Sequence, residues 1–254
     1  MELFYREYGS GQPIVILHGL FGLSDNWVSI AKEFSKEFKI IIPDLRNHGI
    51  SPHSLEMNYE VMCEDLIELL SKLNLCNIIL IGHSMGGKVA MKFALENPEI
   101  ITKLIIVDIS PREYPIHHID VLTAFKSINF LVSNTRSSIE LELRNFIESE
   151  KVRNLIMKNL IWKSKNCLGW KLNIDSIERN FNEILKEITS NSPFLSPVLF
   201  LKGEFSDYIT EDDKIRINLL FPRSKFVEIK NASHWVHSDS HNDFVKVVEI
   251  YLKS

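Results

Sequence analysis

Cysteine is scarce in this chain. Cys63, Cys76 and Cys167 are the whole supply among 254 residues. They are scattered without CxxC spacing, which fits reduced thiols in a cytoplasmic protein. No apolar run approaches the ~18 residues that span a bilayer, so no membrane partner is expected. The N-terminus, "MELFYREYGSG", has no basic stretch followed by an apolar one, and no signal peptide is expected. Positive charge is not in surplus either. Twenty-nine Lys and Arg against 33 Asp and Glu give a formal net charge of -4, which leaves no basic footprint for nucleic acid. Internal repeats and low-complexity tracts are missing.

What is present is an ordinary globular composition, 45% apolar and 24% charged, long enough for one large α/β domain with or without an insertion. Short apolar runs at 3–8, 13–19, 39–45, 77–83, 103–109, 197–203 and 225–230 read as strands. Several are continuous Ile/Val/Leu runs, the pattern of strands buried on both faces of a parallel sheet. Helical patterns lie between them. In "NYEVMCEDLIELLSKLN", Tyr59, Met62, Leu66, Leu69, Leu70 and Leu73 recur at three-to-four spacing behind Asn58, a plausible N-cap. "DNWVSIAKEFSKEF", "GKVAMKFALEN" and "DFVKVVEIYLK" read the same way. The alternation predicts an α/β fold, a mostly parallel central sheet flanked by helices. From Pro111 to about Ser196 the rhythm breaks into a helix-like, strand-poor segment, opened by Pro111 and Pro115 and closed by "SPFLSP". We read residues 111–196 as a helical cap inserted in a core made of 1–110 and 197–254.

The stretch "ILIGHSMGGK", residues 79–88, brackets a serine with glycines where a buried strand ends. Gly82 to Gly86 matches G-x-S-x-G, the turn from strand to helix that exposes a nucleophile. Such a turn strains the serine backbone and leaves no room for side chains at positions 82 and 86. A serine hydroxyl needs a base to remove its proton and an oxyanion site to receive the developing charge. For the base, His234 in "KNASHWVH" follows the last strand and precedes the final helix. His237 has no HExxH motif or carboxylate set beside it, so it reads as a solvated or pocket-lining residue and no metal site is expected. His83 reads as packing inward, and His117, His118 and His241 as surface residues.

Two carboxylates satisfy the order Ser–Asp–His. Asp108 ends the strand "KLIIVD", held rigidly behind Ile105, Ile106 and Val107, and Asp207 lies in the loop "GEFSDYI". Asp108 is favoured, with Asp207 the alternative. The oxyanion amides are assigned to Met85, after the nucleophile, and to Leu20 in "LHGLFG", with Phe21 the lesser candidate as donor. His18 reads as bracing that loop. Phe21 and Trp235 are offered as apolar walls of an acyl pocket. Arg46, Asn47 and His48 in "DLRNHG" lie past a strand end, where Arg46 either touches a polar group of the substrate or ties down its loop with Asp44.

Taken together these residues resemble the α/β-hydrolase superfamily, and within it the YbfF-type (abhydrolase-domain) esterases. The resemblance rests on "HGLFG…DNW", "PDLRNHGISP", "MNY", "GHSMGGK", "DISPREY" and "SHWVH", spread from residue 18 to 237. It implies a serine hydrolase of short- to medium-chain carboxylic esters or acyl thioesters such as acyl-CoA, without a cofactor, acting as a monomer or homodimer. It also places the acid at the end of the strand after the nucleophile helix, which is Asp108. In many relatives of the fold the acid instead follows the strand's glycine by three residues. That position is Ser206 here, one residue short of Asp207. Ser233 departs from a common glycine before the histidine. A C–C bond hydrolase, a cofactor-free peroxidase and a non-catalytic ligand receptor are the alternative uses of such a fold. An aspartate nucleophile, as in dehalogenases and epoxide hydrolases, is excluded by Ser84.

Overall fold

Residues that are apolar on both sides of the pleat end up buried on both sides of one sheet. In the computed structural model, which describes every residue except His117 and Asn166, the seven expected runs form β1 (Tyr5–Tyr8), β2 (Pro13–Leu17), β3 (Lys39–Pro43), β4 (Ile78–His83), β5 (Ile101–Val107), β8 (Val198–Gly203) and β9 (Ser224–Ile229). Two further short strands, β6 (Leu160–Ser164) and β7 (Cys167–Trp170), pair separately. The main sheet runs β1-β3-β2-β4-β5-β8-β9, parallel throughout except for the antiparallel edge pair β1–β3. Alternate residues feed two cores. Val15, Leu17, Leu80, Leu104 and Ile106 face one side, and Ile14, Ile16, Ile79, Ile81, Ile105 and Val107 the other. Continuous apolar runs follow directly from that double burial.

The helices are α1 (Val28–Phe34), α2 (Tyr59–Lys72), α3 (Met85–Glu96), α4 (Ile119–Ser127), α5 (Arg136–Leu143), α6 (Glu150–Lys158), α7 (Ile174–Arg179), α8 (Phe181–Leu185), α9 (Glu211–Leu220), α10 (Val236–Asp239) and α11 (His241–Leu252). α2 starts where its cap residue predicts, with the Asn58 side chain accepting the Val61 N–H at 2.9 Å. α9 carries no clear apolar stripe, so periodicity does not announce it. Its start is fixed instead by Thr210, whose hydroxyl accepts the Asp213 N–H while Asp213 reaches back to the Thr210 N–H.

Between β5 and β8 the chain forms α4 to α8 and the β6–β7 hairpin. The hairpin is the departure from a strand-poor expectation. Its pattern is too short to read, since Leu160, Leu168 and Trp170 are buried while Trp162, Lys163 and Ser164 are exposed. It is held by Trp170, whose indole N–H donates to the Phe125 carbonyl at 2.9 Å and whose ring meets Phe125 and Phe130 edge-on.

Candidate active site

The parallel strands all point their carboxyl ends to one edge of the sheet, where such folds bind ligands. At the end of β4, Ser84 has φ 52 and ψ -122, a conformation few non-glycine residues adopt. The surrounding glycines explain how it is held. A Cβ on Gly82 would lie 2.3 Å from the Gly86 carbonyl oxygen, and one on Gly86 would lie 2.5 Å from the carbonyl oxygens of Leu17 and His18. β4 and α3 therefore approach backbone to backbone, and the serine is the side chain left at the apex.

The Ser84 hydroxyl lies 3.0 Å from His234 Nε2, and His234 Nδ1 lies 2.8 Å from Asp108 Oδ2. An ionised carboxylate only accepts, so Nδ1 carries the hydrogen and Nε2 is left to accept from the serine. The His234 backbone is fixed by His83, which donates from Nε2 to its carbonyl at 2.9 Å. Its ring is stacked on Tyr208 at 3.8 Å between centroids. Burial keeps His83 neutral, down to about 3.

Asp108 is fully buried at the end of β5, with φ 53 and its N–H donating to the Leu201 carbonyl. Its Oδ1 accepts the Gly203 N–H at 3.0 Å, and its Oδ2 also accepts the Ser206 hydroxyl. Burial pushes this carboxyl up to about 6, against the pull of those two donors. Asp207 is exposed, and the hydrogen bond recorded for it is through its backbone carbonyl, to Arg112. Ser206, next to Asp207, thus faces the site as a donor to Asp108, which comes from the neighbouring strand.

Opposite the elbow, the loop after β2 is held by two buried histidines. His48 Nδ1 donates to the Arg46 carbonyl and its Nε2 accepts the Phe21 N–H at 3.2 Å. His18 Nδ1 donates to the Gly19 carbonyl and its Nε2 accepts the Leu45 N–H. Burial lowers both, His18 to about 4 and His48 to about 3. With the Phe21 N–H engaged, the Leu20 N–H, like that of Gly19, is a loop donor that meets no acceptor among the described residues, and the Met85 N–H at the first turn of α3 meets none either. Gly19 permits the approach, since a Cβ there would lie 3.1 Å from Ser84 Cβ.

Above these groups is a cavity of about 180 Å³ bordered by Leu20, Phe21, Met85, Val121, Leu155 and Trp235 as well as Ser84 and His234. Phe21, at φ 62, and Trp235 both reach it. Arg46 does not, which corrects its assignment to the pocket. Its guanidinium grips Asp65 at 2.7 and 2.9 Å and the carbonyls of Glu56 and Val61. Asp44 does not pair with it but accepts the N–H groups of Ser24 and Ile50. One histidine also moves. His118, expected at the surface, borders the cavity and hydrogen-bonds the Tyr208 hydroxyl at 3.1 Å. His237 is buried and stacked on Trp27 at 4.0 Å. His117 lies outside the described residues. Sequence reasoning did not single out Tyr208 or Lys88 as neighbours of the site, although Lys88 closes the motif that located the serine.

A strained serine between strand and helix, with a histidine and an acid on the same edge of a mostly parallel sheet, defines the α/β-hydrolase class. A family model described as alpha/beta hydrolase fold matches residues 12–126. The sn-1-specific diacylglycerol lipase ABHD11 of Danio rerio is 38% identical over 253 residues, covering 96% of this chain and 80% of that one. Esterase YbfF of Escherichia coli (strain K12) is 29% identical over 246 residues, covering 96% and 94%. Among solved structures, a "Marine microorganism esterase" superposes with a TM-score of 0.95 at 44% identity, covering 97% of this chain and 98% of that one. The chain belongs to the α/β-hydrolase family, and within it to the YbfF-type esterases. Hydrolysis of carboxylic esters is the activity these relatives support. Among the described residues no helix is long and apolar enough to cross a membrane, and no group of three or more His, Cys, Asp or Glu is arranged to hold a metal ion.

Proposed function

We propose that the protein hydrolyses short- to medium-chain carboxylic esters or acyl thioesters, acyl-CoA among them, through an acyl-enzyme on Ser84. The observation that carries this reading is the unbroken chain from Ser84 Oγ to His234 (3.0 Å) to Asp108 (2.8 Å) beneath an apolar cavity. His234 takes the serine proton as Ser84 attacks the acyl carbon, and the Leu20 and Met85 N–H groups receive the negative oxygen. The tetrahedral intermediate expels the alcohol or thiol, which leaves with the proton from His234. Water then enters, loses its proton to the same imidazole, attacks the ester carbon and frees the acid and Ser84. Asp108 holds the imidazole in the tautomer this requires. The volume of about 180 Å³ lies below the ~300–1,000 Å³ of drug-sized sites, which favours a small acyl group. Phe21 and Trp235 are its apolar walls, and the lipase activity named for one relative makes glycerol esters worth including among substrates.

Purified protein is to be assayed on p-nitrophenyl acetate, butyrate and octanoate, on acyl-CoA of matching lengths and on monoacylglycerol, with fluorophosphonate labelling alongside. Ser84→Ala is expected to lower ester turnover by roughly 10³- to 10⁶-fold and to abolish labelling, with the melting transition retained. Turnover or labelling at the wild-type level in that variant overturns the assignment.

A further inference from the structure

Lys88 ends the motif Gly82–Lys88, yet the chemistry above does not use it. Burying an ammonium without partners is costly, and Lys88 is only 1% exposed. Its Nζ donates to three backbone carbonyls, those of Arg112 (2.8 Å), Leu185 (3.1 Å) and Lys186. Arg112 stands where the chain leaves the core after β5, and Leu185 and Lys186 stand where α8 ends and the chain turns back. The two junctions are also bonded to each other, Tyr114 N–H to the Leu185 carbonyl and Ile188 N–H to the Pro111 carbonyl. The rings of Tyr114 and Tyr59 lie 4.9 and 5.9 Å from the ammonium. Lys88, Tyr59, Tyr114, Ile184 and Leu185 all border the cavity above Ser84.

We propose that Lys88 is a positioning residue, a latch that clamps the outgoing and returning ends of the inserted segment and thereby sets which acyl groups reach Ser84. The selectivity half of this rests on the ester-hydrolase reading; the latch itself does not. Three acceptors need three donors, which only the protonated lysine supplies. A neutral amine keeps two N–H groups and turns its lone pair on the third carbonyl. Burial brings the ammonium down to about 7, Arg112 pushes the same way, and Glu113 and Glu187 oppose. The Tyr59 and Tyr114 hydroxyls, both pushed up by burial, add no charge. Lys186 contributes its carbonyl, while its own side chain pairs with Glu183. The latch is therefore closed at pH 6 and loosens as pH rises through neutrality.

Hydrogen exchange at the Tyr114 and Ile188 amides, corrected for intrinsic chemistry, tests the latch without reference to activity. From pH 6 to 8.5 the wild type should lose on the order of 10-fold protection there, with β4 and β5 unchanged. Lys88→Met, which fills the volume but supplies no donor, should show the loosened level at both pH values. Its ratio of kcat/KM on p-nitrophenyl octanoate to that on butyrate should move by about fivefold or more, a shift of about 1 kcal/mol in relative barriers. Wild-type protection in Lys88→Met, with an unchanged ratio, overturns the proposal. Should that variant not fold, flat protection across pH in the wild type overturns it equally. Protection that follows the expected pattern in a protein that cleaves no ester leaves the latch standing and removes only the ester reading.

Discussion

The two sides of the cavity are built by opposite means. At the sheet edge, the reacting groups are positioned by backbone that tolerates no added side chain: Gly82 and Gly86 sit within 2.5 Å of a neighbouring carbonyl from any Cβ they might carry. In the segment between β5 and β8, walls are positioned by side chains reaching across to the core. Asn159 donates to the Phe21 carbonyl at 2.8 Å, Asn47 to the Ser176 hydroxyl at 3.1 Å, and Tyr59 to the Ile184 carbonyl. Steric exclusion fixes the first side to one geometry, whereas hydrogen bonds that open and reclose hold the second. The chemistry should therefore be intolerant of change at the edge, and selectivity adjustable in the segment between β5 and β8.

The largest break in this contrast comes from the acid. Asp108→Asn keeps the shape but presents an amide to His234, and is expected to cost about 10⁴-fold in kcat, as loss of the tautomer-setting carboxylate does elsewhere. Asp207→Asn, on an exposed carboxylate, should stay within about twofold. The reverse ranking in steady-state kinetics would move the acid to the later loop. Next comes Gly86→Ala, whose methyl would meet two backbone oxygens at 2.5 Å. Shifting the elbow by even about 1 Å should lower kcat by roughly 100-fold. A variant with wild-type kcat would mean the elbow is softer than the packing implies.

A smaller effect is a matter of pH. Asp108 must be ionised to hold His234, and burial raises it to about 6. Carboxylate is thus the dominant form above that value and is lost as pH falls below it. Activity should decline on the acid side, by about 10-fold per unit, and because His234 must also be unprotonated to act as base, Asp108→Asn should keep an acid limb set by His234 while losing most of its rate. A profile flat down to pH 5 would refute the link.

The same contrast explains what could be read from the sequence. Ser84, the strand before it and the glycines around it lie within a few residues, so local spacing carries them. His234 and Asp108 follow from chain order and the ends of apolar strands. Lys88, Tyr208 and His118 act through partners some 24 to 98 residues away, and spacing holds no signal for such pairs. The preference for Leu20 over Phe21 as the loop donor was already legible, but its physical reason, the His48 ring accepting the Phe21 N–H from 27 residues away, was not. The β6–β7 hairpin stayed hidden because five- and four-residue strands with exposed outer positions give no period to count.

Arg46 is where sequence position misleads most, and it supplies the smallest expected effect on catalysis. It follows a strand end near the site, as a substrate-binding residue would, yet its guanidinium is bound up with buried Asp65 on α2 and two carbonyls beside it. Asp65 keeps the Met1 ammonium at 2.7 Å, so losing Arg46 leaves its buried charge only partly compensated and costs less than the about 3–5 kcal/mol of breaking an isolated buried pair. Arg46→Ala should therefore lower the denaturation midpoint. Active-site titration of the folded fraction should return KM for both neutral esters and acyl-CoA within about twofold of wild type. A KM rise confined to acyl-CoA, with the midpoint unchanged, would instead show the guanidinium reaching a phosphate, and the loop after β3 would join the segment between β5 and β8 in setting specificity.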